Sequence, residues 1–300
     1  MESIATHLWF DKSAREAAEW YVSQLPGSRI KSVAMLHNTP SGDTELVSFD
    51  LGGRPFMAIS AGPLFTFNPS VSLHVKRPTK EAVDATWNGF AAGGRVLMPL
   101  GTYPFNERFG WVQDKYGVSW QIMLAPIGED HSAIVPALMF TEPVAGQAEA
   151  AMTFYTSVFK SPPPKVLSRY GTGDAPDRDG TVRIASFTLP GGEFAAMDSA
   201  HRHGFTFNEA ISFVVPCETQ EEIDYYWEKL SAGGEPNQCG WVRDRFGVSW
   251  QIFPASLPEM MRDPDRARAA RAMRAMLGMK KFDIAKLRAA HLGTDDGTKP

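Results

Sequence analysis

The residues best equipped for chemistry occur twice in this chain. Trp111, Asp114, Trp120 and Gln121 stand in GWVQDKYGVSWQIM (Gly110–Met123). The same types return as Trp241, Asp244, Trp250 and Gln251 in GWVRDRFGVSWQIF (Gly240–Phe253), with ten of fourteen positions identical at a shift of 130. Strand alternation sends Trp120 and Trp250 to the face opposite Gln121 and Gln251. The two tryptophans therefore pack against helices, while the amides face a cleft and bond a ligand or each other, since a buried amide needs partners. Trp9 shares a face with His7, two residues away, and lines any cavity on that side. Cys217 and Cys239 are the two thiols. A nucleophilic thiol needs a nearby base or cation; no histidine is close in sequence, only Glu218 and Arg243, so both read as small buried residues. G-x-S-x-G and G-x-x-x-x-G-K-[ST] do not occur, which removes a serine nucleophile elbow and a phosphate loop.

Such residues need a scaffold that turns one strand face toward a common hollow. Two more blocks repeat, both at a shift of 140: FTFN at Phe65–Asn68 and Phe205–Asn208, and TKEAVDATWNGFAAGG (Thr79–Gly94) against TQEEIDYYWEKLSAGG (Thr219–Gly234), seven of sixteen identical. The change of shift means that the second copy gains about ten residues between Phe140 and Phe205, in the turn-rich RYGTGDAPDRDG, and loses as many near MPLGTYPFNERF. Within copy one, Ile4 to Phe10 reads as a short strand. Ala14, Ala17, Ala18, Tyr21, Val22 and Leu25 then recur at helical spacing, and RIKSVAMLH, TELVSFDLG and RPFMAIS follow as strands. The second half repeats that order with SVSLHVK, a helix after Thr79 stopped by Gly93 and Gly94, then RVLMPL, FGWVQD and VSWQIML. Thr219 with Glu222 forms a capping box. Each copy is thus two βαβββ units, and the chain is α+β with four. The copies span residues 1–125 and 134–255, joined by a linker at 126–133 and followed by a helical tail at 256–300.

At 43% apolar and 21% charged over 300 residues, the composition is that of a folded globular protein, and it excludes a disordered chain or a disulfide-stapled miniature. Two cysteines cannot build a disulfide framework or a four-ligand zinc site. Residues 256–300 hold ten Lys and Arg against six Asp and Glu, which leaves the first 255 residues at 20 against 28. A body at −8 repels phosphate backbones, so no nucleic-acid partner is expected. Eighteen consecutive apolar residues are found nowhere, and the N-terminus is acidic; no membrane partner and a cytoplasmic location are expected. The tail places Met and Leu at helical intervals beside an Arg-rich face and reads as two helices packed on the body or on another subunit, with a contact to nucleic acid or an acidic partner as the alternative. Internal pseudo-symmetry suits a monomer or a homodimer.

The paired βαβββ units, each copy closing on D-x-x-G-x-x-W-x-I (Asp114–Ile122 and Asp244–Ile252), resemble the vicinal oxygen chelate superfamily, which includes glyoxalase I, bleomycin- and fosfomycin-resistance proteins and extradiol dioxygenases. More narrowly, FTFN, TQEEIDYYWEKLSAGG, CGWVRDRFGVSWQI and MLGMKKFDIAKL look like its PhnB-like branch, often labelled 3-demethylubiquinone-9 3-methyltransferase. The resemblance implies open, curled mixed sheets with a divalent metal on the floor. Two histidines and a glutamate from first and last strands would hold it and leave room for two substrate oxygens. Carried over, the first-strand position falls on His7 and Ala137, the fifth-strand position on His74 and Val214, and the final glutamate on Gln121 and Gln251. The candidate metal ligands are therefore His7, His74 and Gln121. An amide oxygen is a weak, uncharged donor, so the site is degenerate. If units exchange between copies, His74 and Gln121 group with Ala137 and Asp198, and His7 with Val214 and Gln251. The expected cleft residues are Trp9, His74, Trp111, Gln121, Asp198, Trp241 and Gln251.

The methyltransferase label meets an obstacle in the residues. An S-adenosylmethionine enzyme of the usual α/β type needs a glycine-rich turn leading from a parallel strand into a helix. Here GPLFTF, AAGGRV and LPGGEF precede strands or irregular segments, so no nucleotide cofactor is expected. The expectation is a small-molecule-binding protein with a degenerate metal site and a small aromatic or oxygen-rich ligand. The alternative is a divalent-metal-dependent isomerase or lyase of the glyoxalase type, using His74 and Gln121 with His7 or Asp198.

Overall fold

A computed structural model describes residues 3–126 and 134–294. The linker expected at 126–133 lies, apart from Pro126, outside the described residues. The first unit is β1 (Ala5–Phe10), α1 (Ala14–Gln24), β2 (Arg29–Thr39), β3 (Gly42–Leu51) and β4 (Arg54–Ser60). The second is β5 (Val71–Arg77), α2 (Lys80–Ala91), β6 (Arg95–Tyr103), β7 (Asn106–Gln113) and β8 (Ser119–Leu124). The third is β9 (Ile134–Phe140), a 3₁₀ turn at Glu142–Val144, α3 (Ala148–Val158), β10 (Lys165–Arg169), β11 (Val182–Leu189) and β12 (Gly192–Asp198). The fourth is β13 (Ile211–Cys217), α4 (Gln220–Ser231), β14 (Glu235–Pro236), β15 (Trp241–Arg243) and β16 (Ser249–Pro254). The tail forms three helices rather than the expected two, because Pro264 and Gly278 each interrupt it: α5 (Leu257–Met261), α6 (Arg266–Leu277) and α7 (Ile284–Leu292).

Local chemistry sets these boundaries. On α1, Ala14, Ala17, Ala18 and Tyr21 are buried at i, i+3, i+4 and i+7, the stripe of an amphipathic helix. Thr79 and Thr219 cap α2 and α4 by accepting from the Ala82 and Glu222 amides. The Glu222 carboxylate reaches back one residue further than a standard capping box, to the Glu218 amide at 2.8 Å.

The units pair across copies. One sheet, sheet A, runs β14-β15-β16-β13-β1-β4-β3-β2 and the other, sheet B, runs β10-β11-β12-β9-β5-β8-β7-β6. Sheet A therefore joins the first unit of copy one to the second unit of copy two, through antiparallel β1 and β13 with Ala5 opposite Val214 and His7 opposite Ser212. Sheet B joins the other two through β5 and β9, with Ser72 opposite Ala137 and His74 opposite Val135. Neither copy is a separate body. The repeated FTFN turns clasp across the halves. Asn68 donates to the Thr206 carbonyl at 3.0 Å, Asn208 donates to the Thr66 carbonyl at 2.8 Å, and each amide oxygen also accepts from the backbone N–H two residues on.

Copy two departs from copy one at the two places its length changes. The insertion forms the turns between β10 and β11. The deletion reduces the long β6–β7 hairpin to the two-residue β14 and three-residue β15. The tail repairs this edge: Cys239 and Gly240 donate backbone N–H groups to the Met279 and Lys280 carbonyls at 2.7 and 2.8 Å, and Phe282, fully buried, packs beside Phe253. Gly240 is needed there, since at φ 76° a Cβ would collide with the Ile252 carbonyl and the Phe282 ring.

Candidate functional site

The repeated D-x-x-G-x-x-W block is structural. Asp114 accepts from Tyr21 Oη and Trp120 Nε1, both at 2.7 Å, and from the Tyr116 and Val118 amides at 2.8 and 3.1 Å. Asp244 repeats the set with Tyr155, Trp250, Phe246 and Val248. Gly117 and Gly247, at φ 90° and 89°, make the turn that aims these amides at the carboxylate. Burial raises both carboxyls, Asp244 to about 6 despite its four donors. Trp120 and Trp250 point to the helix side as alternation requires and are buried beside Phe90 and Phe159.

On the opposite, concave face of sheet A, His7 on β1 and Gln251 on β16 sit with Val214, Met57 and the indoles of Trp9 and Trp241. Gln251 donates its amide N–H to Ser212 Oγ at 3.0 Å, and Ser212 Oγ lies 3.5 Å from His7 Nδ1. Trp241 meets His7 edge-on, ring centroids 5.8 Å apart. Trp9 touches Trp241 and Phe65, and its Nε1–H donates to the Gly62 carbonyl. Burial lowers His7 to about 4, so it is a neutral imidazole at physiological pH.

Sheet B carries the counterpart. His74 on β5 stands beside Gln121 on β8, and Gln121 beside Trp111 on β7. Gln121 donates to Ser72 Oγ at 2.8 Å and Trp111 Nε1–H to Ser119 Oγ at 2.7 Å. The remaining wall is aliphatic: Val135, Ala137 and Ala195 form a cluster with Ile184 and Met197. Burial, then the charge on Lys76, lowers His74 to about 3, and its Nε2 is buried without a hydrogen-bond partner. Lys76, at the end of this face, lies 3.6 Å from the Glu193 carboxylate.

Two expectations need correction. Asp198 does not face His74 and Gln121. The residue beside Ala137 in the register is Ala195, and Asp198 pairs with Phe140 on the helix side. There it accepts from the Gly146, Ala148 and Val182 amides at 2.8 to 3.0 Å and serves the start of α3 in place of a capping side chain. Nor do His7, His74 and Gln121 form one ligand set, because unit exchange puts His7 in sheet A and the other two in sheet B. Each floor then offers one imidazole and one amide whose nitrogen is already committed to a serine. No three His, Cys, Asp or Glu side chains converge for a metal among the described residues. That donor set does not fit a divalent cation, which wants at least three strong N or O ligands.

Ser72 and Ser212, which orient the two glutamines, were not among the expected site residues. Both precede a floor position by two residues on the same strand face, so the period-2 rule was the signal available. A shallow depression of about 660 Å³ lies elsewhere, along α3 between Glu149, Phe154 and Arg245. It is wide open to solvent and joins none of the cleft groups.

Two cross-copy sheets, each curling an imidazole and an amide onto its concave face, define a tandem vicinal oxygen chelate fold. The family model described as 3-demethylubiquinone-9 3-methyltransferase matches residues 2–123 and again 132–253, and the chain belongs to that family. Among solved structures, a putative 3-demethylubiquinone-9 3-methyltransferase, PhnB protein, from Bacillus cereus is 42% identical over 40% of this chain and 98% of its own, with TM-score 0.38. Protein PA1353 from Pseudomonas aeruginosa is 27% identical over 39% and 93%, with TM-score 0.34. Glyoxalase I from Zea mays covers 88% of this chain and 97% of its own at 9% identity, with TM-score 0.53, a likeness of fold alone. No curated protein matches the chain. Among the described residues no helix is long and apolar enough to cross a membrane.

Proposed function

We propose that this protein binds an uncharged small molecule on the concave faces of its sheets, with a metal site too degenerate to hold a catalytic cation. One observation carries the reading: each floor pairs a single buried, neutral imidazole with a serine-held glutamine amide, and Glu193, the carboxylate on the sheet B face, is paired with Lys76 and joins no set of three metal-ligating side chains among the described residues. Neutral donors and acceptors inside an apolar wall recognise hydroxyl and carbonyl oxygens, and indole faces favour a flat body. An isomerase or lyase of the glyoxalase type would need the missing carboxylate to fix its cation and to move a proton. Methyl transfer gains no support from the glycines. Gly62 lies between β4 and β5, Gly93 and Gly94 lead from α2 into β6, and Gly191 and Gly192 turn β11 into β12, so none opens a helix from a parallel strand. A cytoplasmic setting suits the two free thiols, and a monomer suits a chain that supplies both halves of each sheet itself.

Native mass spectrometry and elemental analysis of the chain purified without chelator test this. The expected result is a retained organic molecule with metal well below one equivalent. One equivalent of zinc, nickel, iron or manganese that disappears in His74→Ala would refute the reading.

A further inference from the structure

The two concave faces carry the same residue types in the same register, Trp111 beside Gln121 and Trp241 beside Gln251, yet they are not equivalent. In sheet B the indole N–H of Trp111 is tied to Ser119 Oγ, which holds the ring along the wall, and His74 Nε2 is left buried and unpaired. In sheet A the matching Ser249 Oγ is the buried atom without a partner, and Trp241 instead lies against His7 and Trp9. The difference begins one residue upstream. Phe109 and Gly110 run as ordinary strand within β7, whereas Cys239 and Gly240 take φ of 58° and 76° and bond to the tail carbonyls of Met279 and Lys280. The tail thereby holds the residues that lead into β15, whose first side chain, Trp241, lies edge-on against the imidazole of its own face.

The geometry points to a single ligand site per chain, on sheet B, for one uncharged molecule whose hydroxyl or carbonyl oxygen pairs with His74 Nε2. Its apolar body would lie against Val135, Ala137, Ala195 and Met197. This rests on the binding reading above and adds which face binds and what the ligand carries. Ala137 and Ala195 present only methyl groups on the wall beside His74. Lys76 is partnered by Glu193 and so does not call for an anion. The unpaired imidazole nitrogen is a standing cost that a ligand oxygen removes. On sheet A, Trp241 lies edge-on against the corresponding imidazole, His7.

The test uses the full chain and 2-naphthol, a neutral hydroxylated aromatic, as the probe. Titration is followed by probe fluorescence and by long-range ¹H–¹⁵N spectra of the histidine imidazoles. The expected result is one saturating event per chain, a shifted His74 ring nitrogen, an unmoved His7, and affinity at least tenfold weaker in His74→Leu. That variant should melt no lower than wild type, since it removes an unpaired polar atom. A shift at His7 instead, or two equivalents bound, overturns the single-face assignment while leaving small-molecule binding intact. Absence of saturation overturns it as well, and the binding reading then stands or falls on the co-purified molecule. Should His74→Leu fail to fold, the wild-type imidazole spectra decide alone.

Discussion

Lowering the pH should cost this protein stability through His7 and His74, and replacing either should remove its share. Burial depresses His7 to about 4 and His74 to about 3 from an ordinary 6.5. The unfolded chain therefore binds protons that the folded chain refuses. The stabilisation is fully present above pH 6.5 and is lost as pH falls toward the folded values. Between pH 8 and pH 5 each imidazole withdraws about 2 kcal/mol, hence about 4 kcal/mol together, a large fraction of the ~5–15 kcal/mol that a folded protein has. Asp244 works the other way. Its folded value of about 6 lies above the ordinary 3.8, so the fold gains about 1 kcal/mol at pH 5, and the raised Asp114 leans the same way. Wild type should lose about 3 kcal/mol net. Guanidinium unfolding at pH 8, 6.5 and 5 on wild type, His7→Gln, His74→Gln and the double variant reads this directly. Each glutamine should flatten the slope by about 2 kcal/mol, and the double variant should be slightly more stable at pH 5 than at pH 8. Parallel pH profiles for all four proteins would refute the claim that these rings are buried and neutral.

Phe282→Ala should cost about 3–5 kcal/mol in denaturant unfolding, because the ring is fully buried against Gly240 and Phe253; a loss under about 1 kcal/mol would mean the tail is dispensable. Tyr155→Phe should cost about 1.5–3 kcal/mol by removing one donor from the Asp244 carboxylate, and Tyr21→Phe should add to it independently, since the two clusters share no residue. Gln121→Glu combined with Ala137→His should create a stoichiometric zinc or nickel site with His74, readable by elemental analysis, whereas neither single change should; metal in the Gln121→Glu variant alone would show that the donor argument undercounts.

Period and repeat carried most of the architecture in the sequence. Ala14, Ala17, Ala18 and Tyr21 fixed the α1 face, Thr79 and Thr219 marked helix starts, and alternation separated Trp120 from Gln121 correctly. Asp198 was misplaced because it stands three residues from Ala195, an odd step that turns it to the helix side of β12. Unit exchange was not legible, since the face each residue shows is the same whichever copies pair. Nor was the tail's repair of the shortened edge: Met279 and Lys280 meet Cys239 and Gly240 through backbone groups, which leave no side-chain signature. Asp114 stood out as part of a motif, but its bond to Tyr21 spans 93 residues and needed the fold to appear.

Unit exchange is also what gives the molecule its cleft chemistry. Both imidazoles belong to copy one, His7 on its first strand and His74 on its fifth, while the matching positions in copy two are Ala137 and Val214. Had each copy folded on itself, one hollow would hold both imidazoles and the other none. With the units exchanged, each hollow receives one imidazole from copy one and faces an apolar strand from copy two, its fifth on sheet A and its first on sheet B. The same pairing sends each of copy two's length changes to a different sheet, the insertion to β10–β11 on sheet B and the deletion with its tail repair to β14–β15 on sheet A. The two hollows can therefore diverge separately within one chain: on sheet A Trp241 lies edge-on against the imidazole, and on sheet B the imidazole is buried beside small side chains with its Nε2 unpaired.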